Sequence, residues 1–86
     1  MTIVADHYTM KQEELINQVI KGIGSRGFGD VMEALTWTQD NFQNGFDLAN
    51  DMQNMDLVKL IYSNFNQNKI VIEFTLLGKA KYESFS

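Results

Sequence analysis

The residue groupings with spacings that chemistry could use are few, and the first is a run of glycines. Gly22-Ile23-Gly24-Ser25-Arg26-Gly27 follows the pattern G-x-G-x-x-G. In a dinucleotide fold that pattern needs a strand before it and a helix after it, so that a pyrophosphate meets the helix N-terminus. Here an amphipathic helical pattern precedes it, and a chain of this length has no room for the sheet. The run therefore reads as a glycine-rich loop. A reduced role remains open, with Ser25, Arg26 and the amides ahead of Asp30 accepting a lone anion, which the charge of Asp30 opposes.

The second grouping is acidic. Asp47 and Asp51 stand four residues apart, one helical turn, with Asp40 and Asp56 on either side. Paired carboxylates can exchange protons or hold a hard cation. The alternating Asp-x-Asp-x-Asp-Gly spacing of a calcium loop is missing, so a solvated helix face, or an acidic surface that docks onto a basic partner, fits better. Trp37 lies off the apolar stripe of its own segment. A large aromatic in such a place is either covered by a neighbouring element or anchors an interface. His7 has only Asp6 beside it in sequence, and adjacent strand residues point to opposite faces, so an ordinary surface histidine is expected. No catalytic set, metal site or cofactor is expected.

Composition narrows the classes further. The chain has 86 residues, a formal net charge of −4, no cysteine and no proline. One domain, residues 1–86, is expected, with a thin core and neither disulfides nor thiolate chemistry. Negative net charge runs against nucleic-acid binding. The charge is uneven: residues 26–56 carry Asp30, Glu33, Asp40, Asp47, Asp51 and Asp56 against Arg26 alone, whereas Lys59, Lys69, Lys79 and Lys81 fall later. No apolar run approaches the ~20 residues that span a bilayer, and the opening residues lack a basic region followed by a long apolar stretch. The cytoplasm is the expected compartment, with no membrane partner. The many Asn, Ile and Lys residues suit an accessory gene of an AT-rich genome, such as that of a virus or mobile element.

The elements that must position these residues follow from periodicity. Residues 2–8 alternate weakly, as a short edge strand or a loose terminus does. Thr9-Met10-Lys11-Gln12 reads as a capping box opening a helix over about 10–22, with Leu15, Ile16, Val19, Ile20 and Ile23 on one stripe. Asp30 opens a second helix with Glu33 in its first turn; Val31, Ala34, Leu35, Thr38 and Phe42 face inward and Asn44-Gly45 stops it. Asp47 caps a third stretch with Leu48, Met52, Met55, Leu57 and Val58. The stripe drifts near Asn54-Met55-Asp56, which implies a kink or two helices, 47–53 and 56–64, the second capped by Asp56. From Lys69 the period becomes two, with Ile70, Ile72 and Phe74 on one face of a strand. Gly78-Lys79 then turns into a second strand over Ala80–Phe85, or Gly78 opens a terminal helix. The expected class is α+β: three to four helices followed by a C-terminal β-hairpin or ribbon, with or without a short N-terminal strand.

One family resemblance follows from the last third of the chain. Leu60-Ile61-Tyr62-Ser63-Asn64-Phe65, then Ile70 to Lys79 with Thr75-x-x-Gly78-Lys79, resembles the winged-helix domain, in which a recognition helix runs into a strand ending in such a segment. The resemblance implies DNA binding, with Lys59, Lys69, Lys79 and Lys81 on phosphates. The helix-turn-helix spacing upstream departs from the pattern: counted from Ala49, the places for glycine and the apolar residues hold Gln53, Asn54, Lys59 and Tyr62. The expected function is therefore a non-catalytic protein-interaction module, a small regulator or inhibitor. It would use Trp37, Asp40, Phe46, Asp47, Asp51 and Asp56 to meet a protein with a basic surface, with self-association into a homo-oligomer left open. The winged-helix DNA-binding regulator stands as the alternative.

Overall fold

Helix comes first along the chain. The computed structural model describes residues 2–85, with side chains from Lys11 to Phe85. Helix α1 spans Thr2–Ile23. The expected strand over residues 2–8 is not formed: this stretch carries no glycine or proline to stop a helix, and its weak alternation finds no strand to pair with. Thr9 thus lies inside α1 instead of capping it. The side chains of His7 and Thr9 lie outside the described residues. The expected stripe is present, with Ile16, Val19, Ile20 and Ile23 buried.

Past α1, a 3-10 turn over Gly24–Arg26 and a left-handed Gly27 (φ 78°) lead into β1, Phe28–Asp30. Asp30 caps α2, Val31–Leu35, as expected, its carboxylate accepting from the Met32 N–H. This helix ends nine residues earlier than the glycine at position 45 suggests, at a left-handed Thr36. A 3-10 turn, Gln39–Asn41, precedes α3, Phe42–Asn54. Gly45 is therefore a mid-helix residue and not a stop. It is buried, and a Cβ there would collide with Met32 Sδ, so its missing side chain is what lets α3 lie against α2. Asp47 likewise sits inside α3 and caps nothing.

Asp56 takes a left-handed φ of 63° and reverses the chain. Aspartate tolerates that conformation better than most residues. The chain then enters a strand, so the helix expected over 56–64 is absent: β2, Val58–Asn64, pairs antiparallel with β3, Lys69–Phe74. The β3 alternation is as expected, with Ile70 and Ile72 buried. A hairpin is present, one strand earlier than a Gly78-Lys79 turn would make it. The terminal segment is helix α4, Leu76–Glu83, capped by the Thr75 hydroxyl accepting from the Gly78 N–H at 3.1 Å.

The sheet order is β1-β3-β2, all antiparallel. Ile70 and Ile72 belong to the same core as the buried faces of α1, α2 and α3, while Lys59 and Glu73, paired across β2 and β3, are exposed. The class is α+β, with four helices and a three-stranded sheet whose hairpin lies on the C-terminal side. Among the described residues no helix is long and apolar enough to cross a membrane.

Two contacts govern this arrangement. Asp30 Oδ1 accepts from Met32 N at 3.1 Å and from Ile70 N at 2.9 Å, joining β1, α2 and β3 at one atom. Gly78 presses so closely on the Leu57 carbonyl that a Cβ there would overlap it. Asp30→Ala should lose a helix cap and strand the Ile70 amide, costing about 2–3 kcal/mol, or a fall in Tm of roughly 10–20 °C. Asp30→Asn should lose less than half of that; equal losses for the two variants would show that the acceptor oxygen is not the source. Gly78→Ala should also destabilise, since overlap with backbone costs about 1–3 kcal/mol against a helix-propensity gain of about 1. Faster amide exchange confined to α4 would report it.

Candidate functional site

Helix α3 buries Phe42, Gly45, Leu48, Ala49 and Met52 and so turns Gln43, Asn44 and Asp47 outward. Asp47 and Asp51 lie one turn apart, as their spacing requires, and both line a cleft of about 480 Å³ between α1 and α3. Leu15 of α1 and Leu48 of α3 give it apolar lining, and Trp37, half-buried on the connection from α2, lines it too.

The two carboxylates are held by amides. Gln12 Nε2 on α1 donates to Asp51 Oδ2 at 2.6 Å, and Gln43 Nε2 donates to Asp47 Oδ1 at 2.9 Å. Lys11 lines the same cleft, yet among the described residues neither aspartate forms an ion pair. Their charge is therefore left for solvent or a partner to meet. An amide donor orients a carboxylate without neutralising it, which keeps the local potential negative.

Trp37 is fixed through its backbone on both sides. Its N–H donates to Met32 O at 2.9 Å, and its carbonyl accepts from Asn68 Nδ2 at 3.0 Å. Asn68 belongs to the tip of the β2–β3 hairpin, which is tied down twice more: Gln39 Nε2 donates to Phe65 O at 2.6 Å, and the Phe65 ring meets Phe42 edge-on at 5.3 Å. The hairpin tip thus sets where the indole-bearing connection lies.

Of the residues expected at a docking surface, Trp37, Asp47 and Asp51 come together. Asp40 is exposed on the 3-10 turn before α3, Asp56 is exposed at the reversal after it, and neither lines the cleft. Phe46 stacks on Phe42 with centroids 6.4 Å apart and packs against the core. Gln12 and Asn68 had no signal in the sequence, since each is meaningful only through a partner 39 or 31 positions away. The lysines expected on phosphates do not share one surface. Lys59 and Lys79 line a second cleft beside Arg26, Lys69 begins β3, and the Lys81 ammonium lies 5.8 Å from the Phe85 ring. The glycine run is divided, with Gly22 against Ala34 where α1 crosses α2, and Gly24 left-handed at φ 71°. A helix precedes it and a strand follows, the reverse of the dinucleotide arrangement.

Among the described residues no group of three His, Asp or Glu side chains is placed to hold a metal ion. No family model, no curated protein and no solved structure matches the chain.

Because Trp37 is the sole tryptophan, its fluorescence reports on this cleft alone. Relative to each ion's quenching of a free tryptophan amide, negative potential should favour caesium over iodide, with the preference weakened in Asp47→Asn/Asp51→Asn and screened at high salt. Equal relative quenching by the two ions in the unaltered protein would show that the cleft carries no such potential.

Proposed function

We propose that this protein is a non-catalytic protein-interaction module, a small cytoplasmic regulator or inhibitor that docks onto a partner with a basic surface through the cleft between α1 and α3. The observation that carries this reading is the convergence of Trp37, Asp47 and Asp51 on one cleft in which, among the described residues, no cation pairs with the carboxylates. A partly buried tryptophan beside apolar side chains is the type of residue on which binding energy concentrates. Unneutralised carboxylates around it accelerate encounter with a positive surface and reject negative ones. The Trp37 backbone and both carboxylates are held in place by hydrogen bonds, which reduces the ordering to be done on binding.

The second reading is the winged-helix DNA-binding regulator. It is favoured by a helix, α3, running into an antiparallel hairpin, although Leu60–Asn64, where the resemblance places the recognition helix, lies in strand β2, and Thr75-x-x-Gly78-Lys79 opens α4. Against it, α3 carries two aspartates and no lysine or arginine. A helix of that charge repels the phosphates flanking a groove.

Affinity capture from the native host with the unaltered protein and with Asp47→Lys/Asp51→Lys separates these readings. The double variant should lose the captured partner by about tenfold or more while keeping its helical circular dichroism. A duplex of mixed sequence should not be bound at ~50 mM salt, where phosphate-directed affinity is near its greatest. Undiminished capture by the double variant would refute docking through this cleft, and salt-sensitive duplex binding would favour the alternative.

A further inference from the structure

A second cleft, of about 550 Å³, lies between the Gly24–Gly27 loop, β2, the end of β3 and α4. Three separate elements each send one cation to it: Arg26 from the 3-10 turn, Lys59 from β2 and Lys79 from α4. All three are exposed, and among the described residues none of their side chains is engaged in an ion pair or a hydrogen bond. The protein has seven lysines and arginines and a net charge of −4. Its folding therefore places three of these seven cations around one cleft, where an anion that meets more than one of them relieves their mutual repulsion.

The loop that supplies Arg26 is built to stay open. Gly27 O accepts from Phe74 N at 2.7 Å, which pins the loop to the end of β3. At both Gly24 and Gly27, the space that a side chain would take is empty to 4 Å. Glu73, opposite Lys59 in the β2–β3 ladder, and Glu83 also line the cleft. They reduce the excess to one positive charge, so simple monovalent anions gain little there. A multiply charged oxyanion that can meet all three cations at once gains most.

We propose that this cleft binds a phosphate group carried by a small polyphosphate, the backbone of a nucleic acid being the other source that the test separates from it. The Arg26 guanidinium supplies a fork of parallel N–H donors matched to phosphate oxygens, and Lys59 and Lys79 act as point charges on the remaining oxygens. Glu73 weakens the site. The assignment does not depend on the role of the acidic cleft, and it uses only two of the lysines expected on phosphates from the sequence.

The test is a titration of the isotope-labelled full chain with sodium pyrophosphate at ~50 mM salt, followed by amide chemical shifts, with a short DNA duplex as a second arm. Pyrophosphate should shift the amides of Ser25, Arg26, Gly27, Lys59 and Lys79. Arg26→Gln/Lys79→Gln should weaken binding about tenfold or more, while Lys11→Gln and Lys69→Gln change it less than about twofold. Glu73→Gln should tighten it, a gain that loss of structure cannot mimic. Binding of the duplex that is abolished by Arg26→Gln/Lys79→Gln would identify a phosphodiester backbone as the source; saturation by pyrophosphate with no duplex binding would identify a free phosphate compound. Absence of shifts up to ~10 mM pyrophosphate, or equal weakening by Lys11→Gln and Lys69→Gln, would overturn the proposal. Unchanged resonances elsewhere in each variant establish that it is folded.

Discussion

A single carboxylate oxygen decides how the two layers of this protein meet. Asp30 ends β1 and begins α2, and its Oδ1 serves both neighbours, capping the helix through Met32 and continuing the ladder through the amide of Ile70. Charge-assisted bonds of this kind are stronger than neutral ones and offset the loss of water around a half-buried carboxylate. With that corner set, α2 presents Val31, Met32 and Leu35 to the core, and Met32 settles into the space left by the absent side chain of Gly45. Helix α3 is thereby placed, and with it the two aspartates that line the cleft beside Trp37. The position of the acidic surface is thus inherited from an interaction that takes no part in it.

The parts of this arrangement that could be read from residues alone are those governed by neighbours in the chain. The stripe of α1, the Asp30 cap and the alternation of β3 are local patterns, and each survives folding. The segment after Asp56 carries Leu57, Val58, Leu60, Ile61 and Tyr62, an apolar run that suits either period, so residues alone point to a helix where a strand forms. The β-bulge at Ile61 explains why alternation failed there: Leu60 opposes Ile72 and Tyr62 opposes Val71, so the extra residue puts the strand out of phase with itself. Gly45 lies inside α3 instead of ending a helix for a related reason. Its requirement is close approach to α2 and not a left-handed turn, and nothing in the flanking residues distinguishes the two.

The same division runs through the sites. The spacing of Asp47 and Asp51 gave their common helix face directly. Which other residues join them depends on tertiary contacts, so Gln12 and the pinning of Trp37 by Asn68 were invisible. Asp40 and Asp56, which look equivalent in sequence, are carried elsewhere by the turns in which they sit. The lysines show the converse: spread over the last third of the chain, they separate in space, and two of them meet an arginine from the far side of the sequence. One cleft thereby takes an excess of negative charge and the other an excess of positive charge, although each also holds charge of the other sign.

The order of strands in the sheet also has a consequence for how the chain is made. The middle strand, β3, is the partner of both others, and it follows both in sequence. During synthesis at ~5–20 residues per second, β1 and β2 leave the ribosome with no strand to receive their amides and carbonyls. The helices can collapse on one another in that interval, but neither edge can be satisfied until Phe74 has emerged. Translation, and not the intrinsic speed of hairpin closure, then sets the earliest moment at which this sheet exists.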